Sequence, residues 1–237
     1  MSEITDEMIK TIGCECEVFE AGLDDDMLVM KAYFKELELG KKRGFMPVIL
    51  SVSDTLLEAL QDTLSLDSPK SVLSAKMPNA RAEFTRYFNE IKDNKEVIGK
   101  FKSSAESLNQ PISIWNHETK LTKKLILAKI PVKNPWEIFA YLPFGGWNSC
   151  PDALTMMAVA KLWFEKYGAV PCAISSDELE FFVGENPPKL SKDELLRLAC
   201  EHHFFCTDRV EQCSEDGTIG SLAKELEGST FWYFWWD

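Results

Sequence analysis

The run Phe231-Trp232-Tyr233-Phe234-Trp235-Trp236, six consecutive aromatic residues followed by Asp237, constrains this chain more than any other segment. Successive side chains of a strand point to opposite faces, so an extended form of this run is aromatic on both. Left exposed, it would make an apolar patch far beyond the few hundred Å² that soluble monomers usually show. The run is therefore expected as a buried strand in the middle of a sheet with a layer on each side.

The covering layers are legible just upstream. Pro151 opens a helix that runs to Tyr167 and ends at Gly168, a C-terminal cap. Leu154, Met157, Ala158, Leu162, Trp163, Phe164 and Tyr167 leave it few polar positions, which predicts a central, buried helix. Ser191 and Glu194 form a capping box for a helix through about Phe205. A last helix spans roughly residues 219–226 and stops at Gly228. Between them, residues 169–174 and 178–183 read as strands joined by Ser175-Ser176-Asp177, turn chemistry for an antiparallel hairpin.

The N-terminal part offers shorter signals. Residues 16–19 and 27–34 read as strands around an Asp24-Asp25-Asp26 turn, and Lys41-Lys42-Arg43-Gly44 as a solvated basic loop. Residues 47–52 read as a strand, with Ser53-Asp54 capping a helix to about Leu60. Ala80, Phe84, Tyr87, Phe88 and Ile91 recur at helical spacing over residues 79–92, and the apolar runs 112–115 and 125–130 are expected to pair as strands. Asn134-Pro135-Trp136-Glu137 supplies a cap, a proline at the first helical position and a glutamate three residues on, so a short helix starts there. The expected fold is α/β in the broad sense, a mixed α+β architecture with a mixed sheet packed by helices. Its C-terminal unit holds the hairpin, two main helices and the aromatic strand. Residues 131–135 are the best boundary, dividing an N-terminal region, 1–130, from a C-terminal unit, 131–237; the two can pack as one globule.

Charge narrows the function classes. The chain carries 26 Lys and Arg against 38 Asp and Glu, a net −12. Residues 1–130 hold 18 against 21 and residues 131–237 hold 8 against 17, so most of the deficit (−9) is C-terminal. Such a surface repels nucleic-acid phosphates and anionic lipid heads, and suits a basic protein partner. The N-terminal MSEITDEMIK carries acids where a signal peptide carries a basic region, and no run approaches the roughly 20 apolar residues that span a bilayer. Seven cysteines form an odd set without regular spacing, so the chain is expected in the cytoplasm with reduced thiols. Nothing in the sequence sets an oligomeric state.

Several constellations bear on chemistry, each with a plainer reading beside it. Gly145-Gly146-Trp147-Asn148 feeds a helix N-terminus, where free N–H groups favour an anion and Asn148 can face a ligand. Alternatively the glycines turn the chain, Trp147 fills the core, and Asn148 and Ser149 cap the helix. Asp177 and Glu180 lie on the second hairpin strand, where alternation sets Glu178, Glu180 and Phe182 opposite Leu179, Phe181 and Val183. A carboxylate among aromatics is desolvated, which raises its pKa and suits acid–base work, paired with Glu201 or Asp208. The plainer reading is a solvated acidic edge. Glu201 itself joins Glu194 and Arg197 on the polar side of its helix, a surface ion-pair arrangement.

Cys200, His202, His203, Cys206 and Cys213 invite a zinc reading, but no CxxC knuckle exists and Cys200 points away from the His202 and Cys206 face. No metal and no cofactor are expected, and His202 is expected buried and hydrogen-bonded. His117 lies alone in a polar loop. Cys150 is either a thiol activated by a helix dipole or a small buried residue. Two readings of function follow. The first is an acidic protein-binding module, conceivably one that neutralises a basic toxin. The alternative is a small-molecule hydrolase using Asp177, Glu180 and Asp208 near the 145–150 loop, with Trp147, Asn148, Asp177 and Glu180 around one depression.

Taken together, Gly145-Gly146-Trp147-Asn148-Ser149-Cys150-Pro151, Trp163 with Tyr167-Gly168-Ala169, Ser176-Asp177-Glu178-Leu179-Glu180-Phe181, Glu201 with Phe205-Cys206-Thr207-Asp208, Gln212, and Trp232 through Asp237 resemble the domain of unknown function 4253 family over about residues 131–237. The resemblance implies a mostly bacterial domain and carries no catalytic assignment. Gly145, Gly146, Trp147, Asn148, Glu201 and Gln212 are the binding candidates. Gln212 is followed here by Cys213 where the family usually has glycine, so no role needing close backbone approach is expected there.

Overall fold

Among the described residues six runs become strands: β1 (Cys16–Phe19), β2 (Met46–Ser51), β3 (Leu125–Ile130), β4 (Val170–Ile174), β5 (Glu178–Phe182) and β6 (Phe231–Trp235). The computed structural model describes residues 3–237. The strands form one sheet in the order β1-β3-β2-β4-β5-β6, in which β2 and β4 are parallel and every other neighbouring pair is antiparallel. Around it lie α1 (Glu3–Ile12), α2 (Met27–Arg43), α3 (Asp54–Leu66), α4 (Pro69–Ser74), α5 (Ala80–Ile91), α6 (Lys95–Ile98), α7 (Ile138–Tyr141), α8 (Ala153–Tyr167), α9 (Lys192–Phe205), α10 (Asp208–Glu211) and α11 (Ile219–Glu225). The mixed α+β class is as the sequence indicates. None of the described helices is long and apolar enough to cross a membrane. The sheet runs across the 131–135 segment, because β3 and β2 from the first part pair with each other and β2 pairs with β4.

Local chemistry explains most elements. Ser53, Asn79, Ser191 and Thr218 each accept a backbone N–H at the start of their helices, as capping residues do. The Gly168 cap sits at φ 74°, the left-handed conformation that ends α8.

Three expectations are corrected. Residues 27–34 are not a strand but the start of α2, which buries Val29, Met30, Tyr33, Leu37 and Gly40 at helical spacing and continues through Lys41–Arg43 to a left-handed cap at Gly44. At Gly40 a Cβ would lie 2.2 Å from the Phe45 carbonyl oxygen, so this turn needs glycine. Residues 112–115 form no strand; Trp115 makes a single bridge to Thr122, and β3 inserts instead between β1 and β2. Finally, β6 lies at the edge of the sheet, beside β5 alone. One face is nonetheless fully covered and the other partly, since β6 ends the sheet but the helix layer continues over Trp232 and Phe234.

On one face of β5 and β6, Phe181, Trp232, Phe234 and Trp236 meet α8 and α9. Trp163 of α8 is fully buried at the centre, with ring centroids 5.1–5.5 Å from Phe181, Phe205, Trp232 and Phe234 and only 12° from parallel with Phe234. On the other face Tyr33 and Phe34 of α2 pack on Phe182, and Phe182 packs on Phe231. Tyr233 and Trp235 on this second face are only half-buried. Because Phe234 is enclosed on every side, Phe234→Ala is expected to cost about 3–5 kcal/mol. The check is a lower urea midpoint at unchanged slope.

Candidate functional site

Geometry at the β4–β5 hairpin follows from alternation. Leu179 and Phe181 face α8 and α9, which leaves Glu178 and Glu180 on the opposite face. That face is not solvated, because residues 112–123 lie across it. Glu180 is fully buried and accepts hydrogen bonds from the backbone N–H of Ile112 (2.8 Å) and Ser113 (3.1 Å) and from the Ser113 hydroxyl. Burial pushes its carboxyl up to about 7, against the pull of those donors. Glu178 is held by Lys123 Nζ (2.9 Å), the Ser175 hydroxyl (2.7 Å) and the Tyr233 hydroxyl (3.1 Å). The solvated-edge reading of this strand is thereby replaced.

A second group converges on residues 235–237. Asp177 Oδ2 accepts from Trp235 Nε1 (2.9 Å), and the Asp177 carbonyl accepts from the Trp236 backbone N–H (3.1 Å). Asp208 accepts from Gln212 Nε2 (2.7 Å) and from the Asp237 backbone N–H (3.3 Å), while Asn148 Nδ2 donates to the Asp237 carbonyl (2.7 Å). These contacts frame a hollow of about 350 Å³ walled by Trp147, Trp235 and Trp236, with Thr55, Asp177 and Asp237 at its polar positions. Of the residues expected around one depression, Trp147 and Asp177 line it, and Asn148 joins through Asp237. Glu180 does not, because its carboxylate is enclosed under residues 112–113.

The loop that carries Trp147 is built on glycine. Gly145 has φ 92°, and a Cβ there would stand 2.0 Å from the Pro151 carbonyl oxygen. Gly146 donates its N–H to the Cys150 and Pro151 carbonyls. Asn148 itself has a positive φ, 46°. Neither Asn148 nor Ser149 caps α8; Asp152 does, accepting from the Thr155 N–H (2.8 Å). The helix N-terminus already has a carboxylate.

Glu201 departs from its expected surface pairing. It is buried, accepting from Trp163 Nε1 (2.9 Å) and Lys166 Nζ (2.8 Å), because α5 and these two side chains of α8 cover the side of α9 that a helical wheel leaves open. Burial pushes its carboxyl up, with Lys166 opposing. His202 is fully buried but not hydrogen-bonded as expected: its ring lies 4.7–5.0 Å from those of Phe234, Trp232 and Trp163, and neither nitrogen has a hydrogen-bond partner among the described residues. Burial drives its pKa well below the ordinary value. His203 Nδ1 meets the Tyr87 hydroxyl at 2.7 Å. Cys150 is buried and its thiol is pushed up by burial, so it matches the inert reading; Cys206 is pushed up to about 12. Among the described residues, no group of three or more His, Cys, Asp or Glu could hold a metal ion. His117 is exposed, 3.8 Å from Glu178.

The pairings that fix these groups, with Ser113, Lys123, Lys166 and Trp235, carry no local sequence signal, since each partner lies dozens of residues from what it binds. Residues 126–237 match the family model described as Domain of unknown function (DUF4253). The match starts inside β3 and covers somewhat under half of the chain, including every residue around the hollow except those of α3. No curated protein and no solved structure matches the chain.

Two buried groups give opposite pH signatures. For His202 the folded-state pKa lies below 6.5, so the unfolded chain binds more protons and stability is lost as pH falls below about 6.5. For Glu180 the folded-state pKa is raised from 4.5 to about 7, so its contribution is fully present at low pH and is lost as pH rises through that window. Melting temperature against pH should therefore lose part of its acid-side decline in His202→Leu, and gain relative stability near pH 7 in Glu180→Gln. Parallel profiles for wild type and both variants would contradict these assignments.

Proposed function

We propose that the protein is an acidic binding module that presents the hollow at Trp147, Trp235 and Trp236 to a basic protein partner. The observation that carries this reading is the pairing of indole walls with Asp177 and Asp237 in one hollow, in the more acidic part of a chain of net charge −12. A lysine or arginine over an indole face gains a cation–π contact, and nearby carboxylates pair with the same cation. The surrounding negative field speeds encounter with such a partner and rejects acidic ones. In this reading the module acts in a bacterial cytoplasm with its cysteines reduced, and a basic toxin that it neutralises is one partner of the required chemistry.

A hydrolase built on Asp177, Glu180 and Asp208 has less support. The three carboxylates do not converge: Asp177 lines the tryptophan hollow, Asp208 is taken up by Gln212 and the Asp237 backbone outside it, and Glu180 is enclosed. Its raised pKa suits acid–base work, but it lines none of the hollows described here.

Titration of an arginine-rich peptide, followed by tryptophan fluorescence, tests the binding reading. Saturable quenching that weakens with salt is expected. Trp147→Ala should weaken binding about two- to fivefold, the equivalent of ~0.5–1 kcal/mol for an exposed cation–π contact. Asp237→Asn should also weaken it, and a glutamate-rich peptide of equal length should not bind. Equal affinity for both peptides, or none for either, would overturn the proposal.

A further inference from the structure

A small hollow of about 130 Å³ lies among α5, α8 and α9, on the helix layer. Arg81, Lys166 and Arg197 line it together with Glu201, three cations against one carboxylate, in a chain whose overall charge is strongly negative. Neither guanidinium makes an ion pair or side-chain hydrogen bond with any described residue, so each brings unspent N–H donors from a set of five. The Arg197 guanidinium stacks 4.1 Å from the centre of the Phe88 ring, which fixes its plane. Lys166 is placed just as firmly: Glu201, buried and anchored from below by the Trp163 indole, holds one of its ammonium protons and leaves two. The nearby Glu194 carboxylate is taken up by the Ser191 capping box.

We propose that this hollow binds a phosphoryl dianion. Its local charge of three cations less one carboxylate, +2, balances a dianion, and two guanidinium forks match phosphate oxygens in a way that a single ammonium does not. The space admits about four water-sized groups at ~30 Å³ each, the size of a tetrahedral oxyanion. Glu201 acts as a positioning residue, holding Lys166 at the hollow without touching the anion. The negative field of the rest of the molecule opposes entry of anions elsewhere, so binding is confined to the place where the local sign is reversed. This site is separate from the tryptophan hollow, and its test does not depend on that reading.

The probes are inorganic phosphate and phenyl phosphate, each titrated into the full chain and followed by phosphorus NMR. Saturable binding is expected for at least one of them. Affinity should fall by about tenfold or more in both Arg81→Gln and Arg197→Gln; melting temperature should hold in Arg81→Gln, which changes an exposed side chain, and fall by at most a few degrees in Arg197→Gln, which also gives up the stacking on Phe88. Tighter binding of phenyl phosphate would identify a monoester held against Phe88, and equal binding of the two would identify the free anion; either supports the proposal. Absence of saturation with both probes, or affinity unchanged in the Arg81→Gln and Arg197→Gln variants, would overturn it.

Discussion

The face-to-face stack of Trp163 on Phe234 is the contact on which the other arrangements depend. Two large aromatic side chains bury on the order of 150–250 Å² each, and a well-placed aromatic pair adds about 0.5–1.5 kcal/mol beyond that area. Here the stack does more than fill space, because it fixes α8 over the last strand of the sheet. With the ring plane set, the indole N–H points at Glu201, Glu201 in turn holds Lys166, and α9 is thereby locked to α8. His202 follows from the same contact: on the next residue of α9, its ring is enclosed by Trp163, Trp232 and Phe234.

The opposite face of the hairpin is held by different forces. There the covering layer includes an irregular segment whose backbone cannot satisfy itself, and buried N–H groups need acceptors. Glu180 supplies two such acceptor positions at Ile112 and Ser113, and Glu178 holds Lys123 at the far end of the same segment. A buried carboxylate is costly in isolation but here replaces a missing strand ladder. The molecule thus has an aromatic side and an ionic side across one sheet, and its two candidate binding hollows differ likewise, one acidic with indole walls and one locally cationic.

How much of this could be read from sequence depended on the range of the forces. The hairpin, the capping box at Ser191 and the buried character of α8 are set by residues within a few positions of each other, and they were legible. The face on which Glu180 sits was legible too, because alternation is local. What covers that face was not, since Ser113 lies 67 residues from Glu180. The burial of Glu201 is hidden for the same reason: a helical wheel shows a polar side but not the neighbour laid over it. Met27-Leu28-Val29-Met30 suggested a strand because short apolar runs look alike in either conformation. The burial of most of the aromatic run is legible in its composition, but its position at the edge of the sheet depends on strand order, which residue spacing does not encode. Around the tryptophan hollow, Trp147 and Asp177 sit in local turn motifs that the sequence shows, while the part played by Trp235 and the backbone of Asp237 depends on how the chain folds back on the hairpin.

The order of strands has a bearing on how this fold can be divided. All of β3 but Leu125 lies in the segment that matches the family, yet its hydrogen-bonded neighbours are β1 and β2, both outside that segment. β2 is also what joins β3 to β4. Excising residues 126–237 would remove the middle rung and leave β3 separated from β4 by a slot one strand wide, roughly 10 Å between the flanking backbones at about 4.8 Å per strand spacing. Any chain that carries the same C-terminal segment in this arrangement must fill that slot with a strand of its own. The sequence supplying that strand need not resemble β2, because what the slot demands is backbone hydrogen bonds and apolar bulk.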